Sequence, residues 1–171
     1  MNKKTALVTG ASSGIGACIA TKLAQENINV WVNYSRKKEP AEEIVKQIIA
    51  QGGQAQSIQA DVSVEDSVKQ MMAEIKTVSG GLDYLVNNAG IFFTGSFKEF
   101  SVADWKKQLE VNLLGKFIVL QAAIPLLEQS PVASVVNISS RLSKLALANV
   151  SASCCASAGV VMLTQTAALE L

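Results

Sequence analysis

Apolar and polar positions along this chain change their period repeatedly, and each change marks the border of an element. Short apolar or β-branched runs at Thr5–Val8, Asn29–Tyr34, Ala55–Ala60, Tyr84–Val86 and Ser134–Ile138 read as strands. Helical spacing predicts helices over Ile15–Glu26, Ala41–Ala50 and Val64–Thr77, a long amphipathic helix from Val102 to about Leu127, and a last helical run from about Ser153 to Leu171. The first seven elements run βαβαβαβ, which implies a parallel sheet covered by helices on both faces. Two helix starts carry capping patterns, Ser63-Val-Glu-Asp66 and Ser101-Val-Ala-Asp104, in which the hydroxyl accepts a free N–H and the acid complements the helix dipole. Gln51-Gly-Gly-Gln54 and Ser79-Gly-Gly-Leu82 read as helix stops, because glycine tolerates the left-handed conformation. No repeat or composition shift divides the 171 residues, so one domain is expected.

The first strand runs into Thr9-Gly-Ala-Ser-Ser-Gly-Ile-Gly16, a glycine turn that opens a helix. Gly10 lets the strand turn sharply, Gly14 clears the place where main chain meets a diphosphate, and Gly16 lets the helix pack closely on the sheet. With Thr9, Ser12, Ser13 and Ile15 completing the turn, the helix start faces an anion. A dinucleotide is the first expectation; an ordinary turn is the competing one.

Composition narrows the choice. A net charge of +1, with basic residues in runs no longer than Lys3-Lys4 and Arg36-Lys37-Lys38, gives no footprint for nucleic acid or an anionic membrane. The longest apolar stretch, Phe117 to Leu127, is broken by Gln121 and Pro125 and is too short for a bilayer. Met1-Asn-Lys-Lys4 looks like the start of a signal peptide, but the apolar run behind it is only Ala6 to Val8. A cytoplasmic protein is therefore expected, with no membrane and no nucleic-acid partner. Cys18, Cys154 and Cys155 lack metal-ligand spacing and the chain has no His, so no metal site is expected and the cysteines read as free thiols.

Five spaced motifs together resemble the short-chain dehydrogenase/reductase family: the glycine turn, Asp61-Val62 after the third strand, Asn87-Asn-Ala-Gly90 after the fourth, Asn112, and Asn137-Ile-Ser-Ser140 after the fifth. The likeness covers the whole chain. It implies a three-layer Rossmann fold with strand order 3-2-1-4-5, without the family's last two strands, so that the chain is expected to be incomplete at its C-terminus and to leave the strand around Val135-Val136 as an unpaired edge. It also implies that Asp61 accepts from the adenine amino group while Val62 packs on the ring. Asn88, Ala89 and Gly90 let the cofactor pass, Asn112 holds a water in a proton relay, and Ser140 orients a carbonyl. Each of these has a plainer reading as a turn or surface residue.

The end of the second strand bears on the cofactor. NAD enzymes place a carboxylate there for the ribose 2′-hydroxyl, whereas this chain has no acid before Glu39. Asn33 tolerates a phosphate at that place, and Ser35, Arg36 or Lys37 can bind it through charge-assisted hydrogen bonds. NADP is expected over NAD, against the alternative that Arg36 and Lys37 form a solvated loop.

The chain departs from the family at its chemical centre. Where the resemblance calls for the Tyr that exchanges the proton and the Lys four residues later, it has Ser153 and Ser157, and its only tyrosines are Tyr34 and Tyr84. A serine hydroxyl is far less acidic than a phenol. Two functions follow: an NADP(H)-dependent oxidoreductase acting on a small-molecule carbonyl or secondary alcohol through Ser140 and Asn112, or a catalytically silent dinucleotide-binding or interaction protein. By the same resemblance the apolar stripes of the last two long helices imply a homo-oligomer, with buried core as the competing use of those stripes.

Overall fold

The computed structural model describes residues 3–171; Met1 and Asn2, which open the basic run at the N-terminus, lie outside the described residues. Strand β1 (Thr5–Val8) is followed by α1 (Gly14–Gln25), β2 (Asn29–Tyr34), α2 (Lys38–Ala50), β3 (Gln54–Gln59), α3 (Glu65–Ser79) and β4 (Tyr84–Asn87). Helix α4 (Val102–Leu109) then continues through a π-helical turn at Glu110–Leu114 into α5 (Gly115–Leu127), and β5 (Ser134–Asn137), a 3₁₀ turn at Arg141–Ser143 and α6 (Ser151–Glu170) complete the chain. All five strands are parallel, in the order β3-β2-β1-β4-β5. This is the Rossmann-type order that the family resemblance implies, and β5 lies at an edge of the sheet.

Alternation along the central strands builds two cores. Leu7, Trp31 and Leu85 point to one face and pack with Val68, Met71 and Ile75 of α3 and Val119, Leu120 and Ala123 of α5. Their neighbours Val8, Val30, Val32 and Val86 point to the other face, against Ala20 and Ala24 of α1 and Ala41 and Ile48 of α2. Strands buried on both faces explain why these runs are continuously apolar rather than alternating. Trp31 is large enough to reach the end of α3, where its indole N–H donates to Ser79 Oγ at 2.9 Å.

Several borders differ from the sequence reading, for identifiable reasons. Helix α2 starts three residues earlier than expected because Pro40, in the first turn, needs no amide partner there. Gly52 and Gly80 adopt φ of +82° and +77° just past α2 and α3, as the helix stops require. Ser101 caps α4 as expected, accepting from Asp104 N–H at 3.4 Å. Ser63 does not cap α3: the helix begins at Glu65, and both the Ser63 hydroxyl and N–H are drawn to Asp61 Oδ1, at 2.6 and 2.9 Å. Val64 therefore takes the N-cap position, and Ser63 lies one residue before it, in an Asx-type turn closed by Asp61.

The stretch judged too short to span a bilayer lies inside a helical run, Val102–Leu127, which with Ser151–Glu170 reaches the length and apolar content of a membrane span. In this fold α5 lays Val119, Leu120 and Ala123 on the sheet, and α6 buries Ala152, Ala156 and Val160. Among the described residues no cluster of metal-ligating side chains occurs, and Cys18, Cys154 and Cys155 are free thiols.

Leu85 is fully buried on the interior strand β4, in the core shared with α3 and α5. Leu85→Ala is expected to lower unfolding stability by about 2–5 kcal/mol in urea titrations, whereas a loss below about 1 kcal/mol would show that the sheet centre is loosely packed.

Candidate functional site

The C-terminal ends of β1, β4 and β5 converge on one rim of the sheet, and two adjoining cavities open there. The larger, about 670 Å³, runs from Arg36 and Asp61 past Gly10, Ser12 and Ser13 to Asn88–Phe93. The smaller, about 380 Å³, continues from Ile15 and Asn88–Phe92 to Asn112, Ser140, Ser153 and Ser157. Shared residues make them one continuous trough. An elongated ligand therefore has room to lie across the rim, where ligands of open α/β sheets bind.

The glycine turn is built as the sequence reading requires. Gly10 has φ +61°, and a Cβ there would sit 2.8 Å from Ala89 Cα. A Cβ on Gly16 would approach Asn88 Nδ2 to 2.5 Å and Gly10 O to 2.6 Å, so only glycine lets α1 come this close to the strand ends. Ser13, the N-cap of α1, offers no side-chain cap, and the first turn of α1 carries no acid. The first-turn amides thus keep their partial positive charge for an external acceptor.

Asn88 and Thr9 hold this turn against the end of β4. The Asn88 amide donates to Thr9 O at 2.9 Å and Gly10 O at 3.1 Å, while Thr9 Oγ1 accepts from the N–H groups of Asn88 and Ala89, each at 3.0 Å. Asn33 braces the other side. Its Oδ1 accepts from Gly10 N–H at 3.1 Å and its amide points to the carbonyls of Tyr34, Ile58 and Ala60. At 1 % exposure Asn33 is a buried support of the turn, and the exposed polar groups at that end of the trough belong to Ser35 and Arg36.

Asp61 and buried Val62 line the same end. Burial opposes ionisation of Asp61, but the Ser63 hydroxyl and N–H, with Lys107 and Arg36 nearby, outweigh it and hold the carboxyl below its ordinary pKa. Lys107 also donates to Ser63 Oγ at 3.3 Å. Asp61 is thus an acceptor fixed in place.

At the other end, Asn112 sits in the π-helical turn. Its Oδ1 accepts from Ile91 N–H and its Nδ2 donates to Ile91 O, both at 2.8 Å, so its side chain clamps the loop after β4. Ser140 is exposed at the start of the 3₁₀ turn, accepting from Leu142 N–H at 3.2 Å, and its hydroxyl proton remains free to donate. Ser153 and Ser157 both line the cavity, and Ser153, the more buried, accepts from Gln108 Nε2 at 3.0 Å.

Two residues that the sequence reading passed over shape this end. Gln108 is fully buried and bridges Ser153 to the N–H of Phe93, which it accepts at 2.8 Å. Lys116, 5 % exposed, donates to the carbonyls of Asn87 at 2.8 Å and Ala89 at 3.1 Å. Burial alone pushes its pKa down from 10.5 to about 8. Lys116 lies one turn beyond Asn112 on the same helical face, which is the signal that pairs them. Beside it, buried Asn87 donates to Lys116 O and Asn137 Oδ1 and leaves its own Oδ1 without a donor.

The main-chain cradle, a first turn of α1 without an acid and the length of the trough fit a dinucleotide. The comparisons agree in kind. The profile of the short chain dehydrogenase family matches residues 4–171. Over 168 residues the chain is 40% identical to a 3-oxoacyl-[acyl-carrier-protein] reductase FabG of Staphylococcus aureus, covering 98% of this chain and 68% of that protein. It is 37% identical to the 2,5-dichloro-2,5-cyclohexadiene-1,4-diol dehydrogenase LinX of Sphingobium indicum, over 98% of this chain and 66% of that one. A solved dehydrogenase/reductase from Sinorhizobium meliloti 1021 superposes with a TM-score of 0.95 at 34% identity, covering all of this chain and 68% of its own.

The buried lysine gives a pH signature. Folded Lys116 loses its proton near pH 8, while the unfolded chain keeps it to about 10.5. The unfolded state then binds more protons across that window, so stability rises with pH. Wild-type stability measured against Lys116→Met is expected to climb between pH 8 and 10.5 and to be flat below pH 8. A difference that stays constant across the window would contradict a desolvated ammonium.

Proposed function

The chain belongs to the short chain dehydrogenase family, and from that premise we propose that it is an NADP(H)-preferring oxidoreductase acting on the carbonyl of a 3-oxoacyl or related small-molecule substrate, or on the matching secondary alcohol. One observation carries this reading: a single trough joins an uncapped helix start at the glycine turn to the cavity of Ser140 and Asn112.

When bound, the dinucleotide supplies the two electrons and hydrogen of carbonyl reduction. The protein's own groups do the rest. First-turn amides from Ser13 to Gly16, with the hydroxyls of Ser12 and Ser13 and the flank of Ile15, receive the diphosphate. Asp61 accepts from the adenine amine, and Val62 offers an apolar surface to the base. Arg36 and Ser35 meet a 2′-phosphate, which a carboxylate at this place would repel. Small residues at Ala89 and Gly90 let the cofactor run along the end of β4. Asn112 fixes the loop that bounds the substrate cavity, and the Ser140 hydroxyl donates to the substrate oxygen.

Two further points belong to the same reading. The soluble, cytoplasmic setting expected from the sequence suits an enzyme of small molecules whose long apolar helices pack on its own sheet. The groove formed by Leu109, Leu113, Leu114, Phe117 and Leu163 on the last two long helices is the surface on which a second copy would sit, while the sheet-facing side of α5 serves as core.

NADPH titration by fluorescence, alongside NADPH oxidation with acetoacetyl thioesters and simple ketones, tests the proposal. NADPH is expected to bind more tightly than NADH, and Arg36→Ala to weaken NADPH about tenfold, the scale of one charge-assisted hydrogen bond, with NADH little changed. Equal affinity for the two cofactors would remove the NADP preference. No binding of either would overturn the reading.

A further inference from the structure

We propose that Lys116 is the proton donor to the substrate oxygen in this chain, acting from the floor of the cavity that the short side chains of Ser153 and Ser157 leave open. The inference rests on the oxidoreductase reading above and goes beyond it by assigning the acid.

Four observations support it. Lys116 is the only titratable residue among those lining this cavity, beside Asn112, Ser140, Ser153 and Ser157. Its ammonium has three N–H groups, of which two go to Asn87 O and Ala89 O; among the described residues no acceptor takes the third. Ser153 cannot compete for the role, because its buried hydroxyl, which accepts from Gln108 Nε2, is far less acidic than an ammonium. Finally, a lysine that merely braced two carbonyls would be a costly brace, since a neutral amide could donate to both without desolvating a charge.

The surroundings keep this acid tunable. Its neighbours from β4 and the following loop are main-chain carbonyls and the Asn87 amide, and α6 contributes only hydroxyls and apolar groups to the cavity. On its own helical run Glu110 pairs with Lys107 at 3.5 Å, and on α3 Glu65 pairs with Lys69 at 2.6 Å. Among the described residues no carboxylate or second cation acts on Lys116, and desolvation alone brings its proton affinity toward neutrality, where a general acid works best.

The step balances. The carbonyl carbon gains two electrons and one hydrogen from the dihydronicotinamide, and the C=O π bond opens. The oxygen takes the Lys116 proton and becomes the hydroxyl, and the neutral amine regains a proton from water. In the reverse direction the amine accepts that proton.

The test has two parts. In ¹³C-lysine-labelled wild-type protein, the side-chain signal that disappears in Lys116→Arg is expected to titrate near pH 8. It should also shift when NADP⁺ is added, a readout that needs no turnover. For NADPH-dependent reduction of acetoacetyl-coenzyme A and a panel of ketones, kcat is expected to fall at least 100-fold in both Lys116→Met and Lys116→Arg. The NADPH dissociation constant should stay within about threefold, and the wild-type break near pH 8 should vanish in Lys116→Arg, which keeps the charge but cannot give up its proton.

Titration above pH 10, an NADP⁺-insensitive signal, variants that retain reduction within threefold, or NADPH binding without turnover of any carbonyl would each overturn the assignment and leave cofactor binding standing. Failure to bind NADPH would instead overturn the reading on which it rests.

Discussion

The clamp between the β1 turn and the end of β4 is the constraint on which everything else at the rim depends. Thr9 and Asn88 exchange main-chain and side-chain hydrogen bonds across two strands that are far apart in sequence. The same Asn88 amide leaves no room for a side chain on Gly16. The glycine is therefore bound to the asparagine: one sets how closely α1 approaches, and the other gains its acceptors because α1 is that close. Gly10, pressed against Ala89, completes the joint. An uncapped helix start aimed into an open trough follows from this packing rather than from a flexible loop.

The second joint lies at the π-helical turn. Asn112 and Lys116, one helical turn apart, reach the segment from Asn87 to Ile91 with four hydrogen bonds. One residue uses a neutral amide and the other a desolvated ammonium. The two joints share the loop after β4, so the cofactor end and the substrate end of the trough are fixed by one stretch of backbone. A π-helical turn at such a place is in keeping with their frequent association with functional sites.

Much of this was legible in the sequence. Alternating strands and helices pointed to a parallel sheet and the glycine turn to the cradle, while the strand order came from the family resemblance. The misses share a cause: tertiary partners that local patterns do not contain. Ser63 matched a capping pattern, yet the turn closed by Asp61 starts the helix one residue later, with Val64 at its N-cap. Asn33, read as tolerating a phosphate, does line the trough, and only the fold shows that it also braces Gly10 and the carbonyls of Ile58 and Ala60. Gln108 and Lys116 were passed over inside a helix read as amphipathic, whose fold turns both inward, and the change of period at Glu110–Leu114 is too short for a hydropathy pattern to register. The positions of Ser153 and Ser157 acquired meaning only through resemblance, and their surroundings only through the fold.

The central claim is that main-chain donors at the start of α1 receive the diphosphate of a dinucleotide. Amide resonances of ¹⁵N-labelled protein titrated with NADPH test it most directly. The account predicts the largest shifts at Ser12 through Gly16, with Arg36 and Asp61 following at the same ligand concentration. Saturable NADPH binding that leaves those amides unmoved, with shifts gathered elsewhere on the molecule, would contradict it.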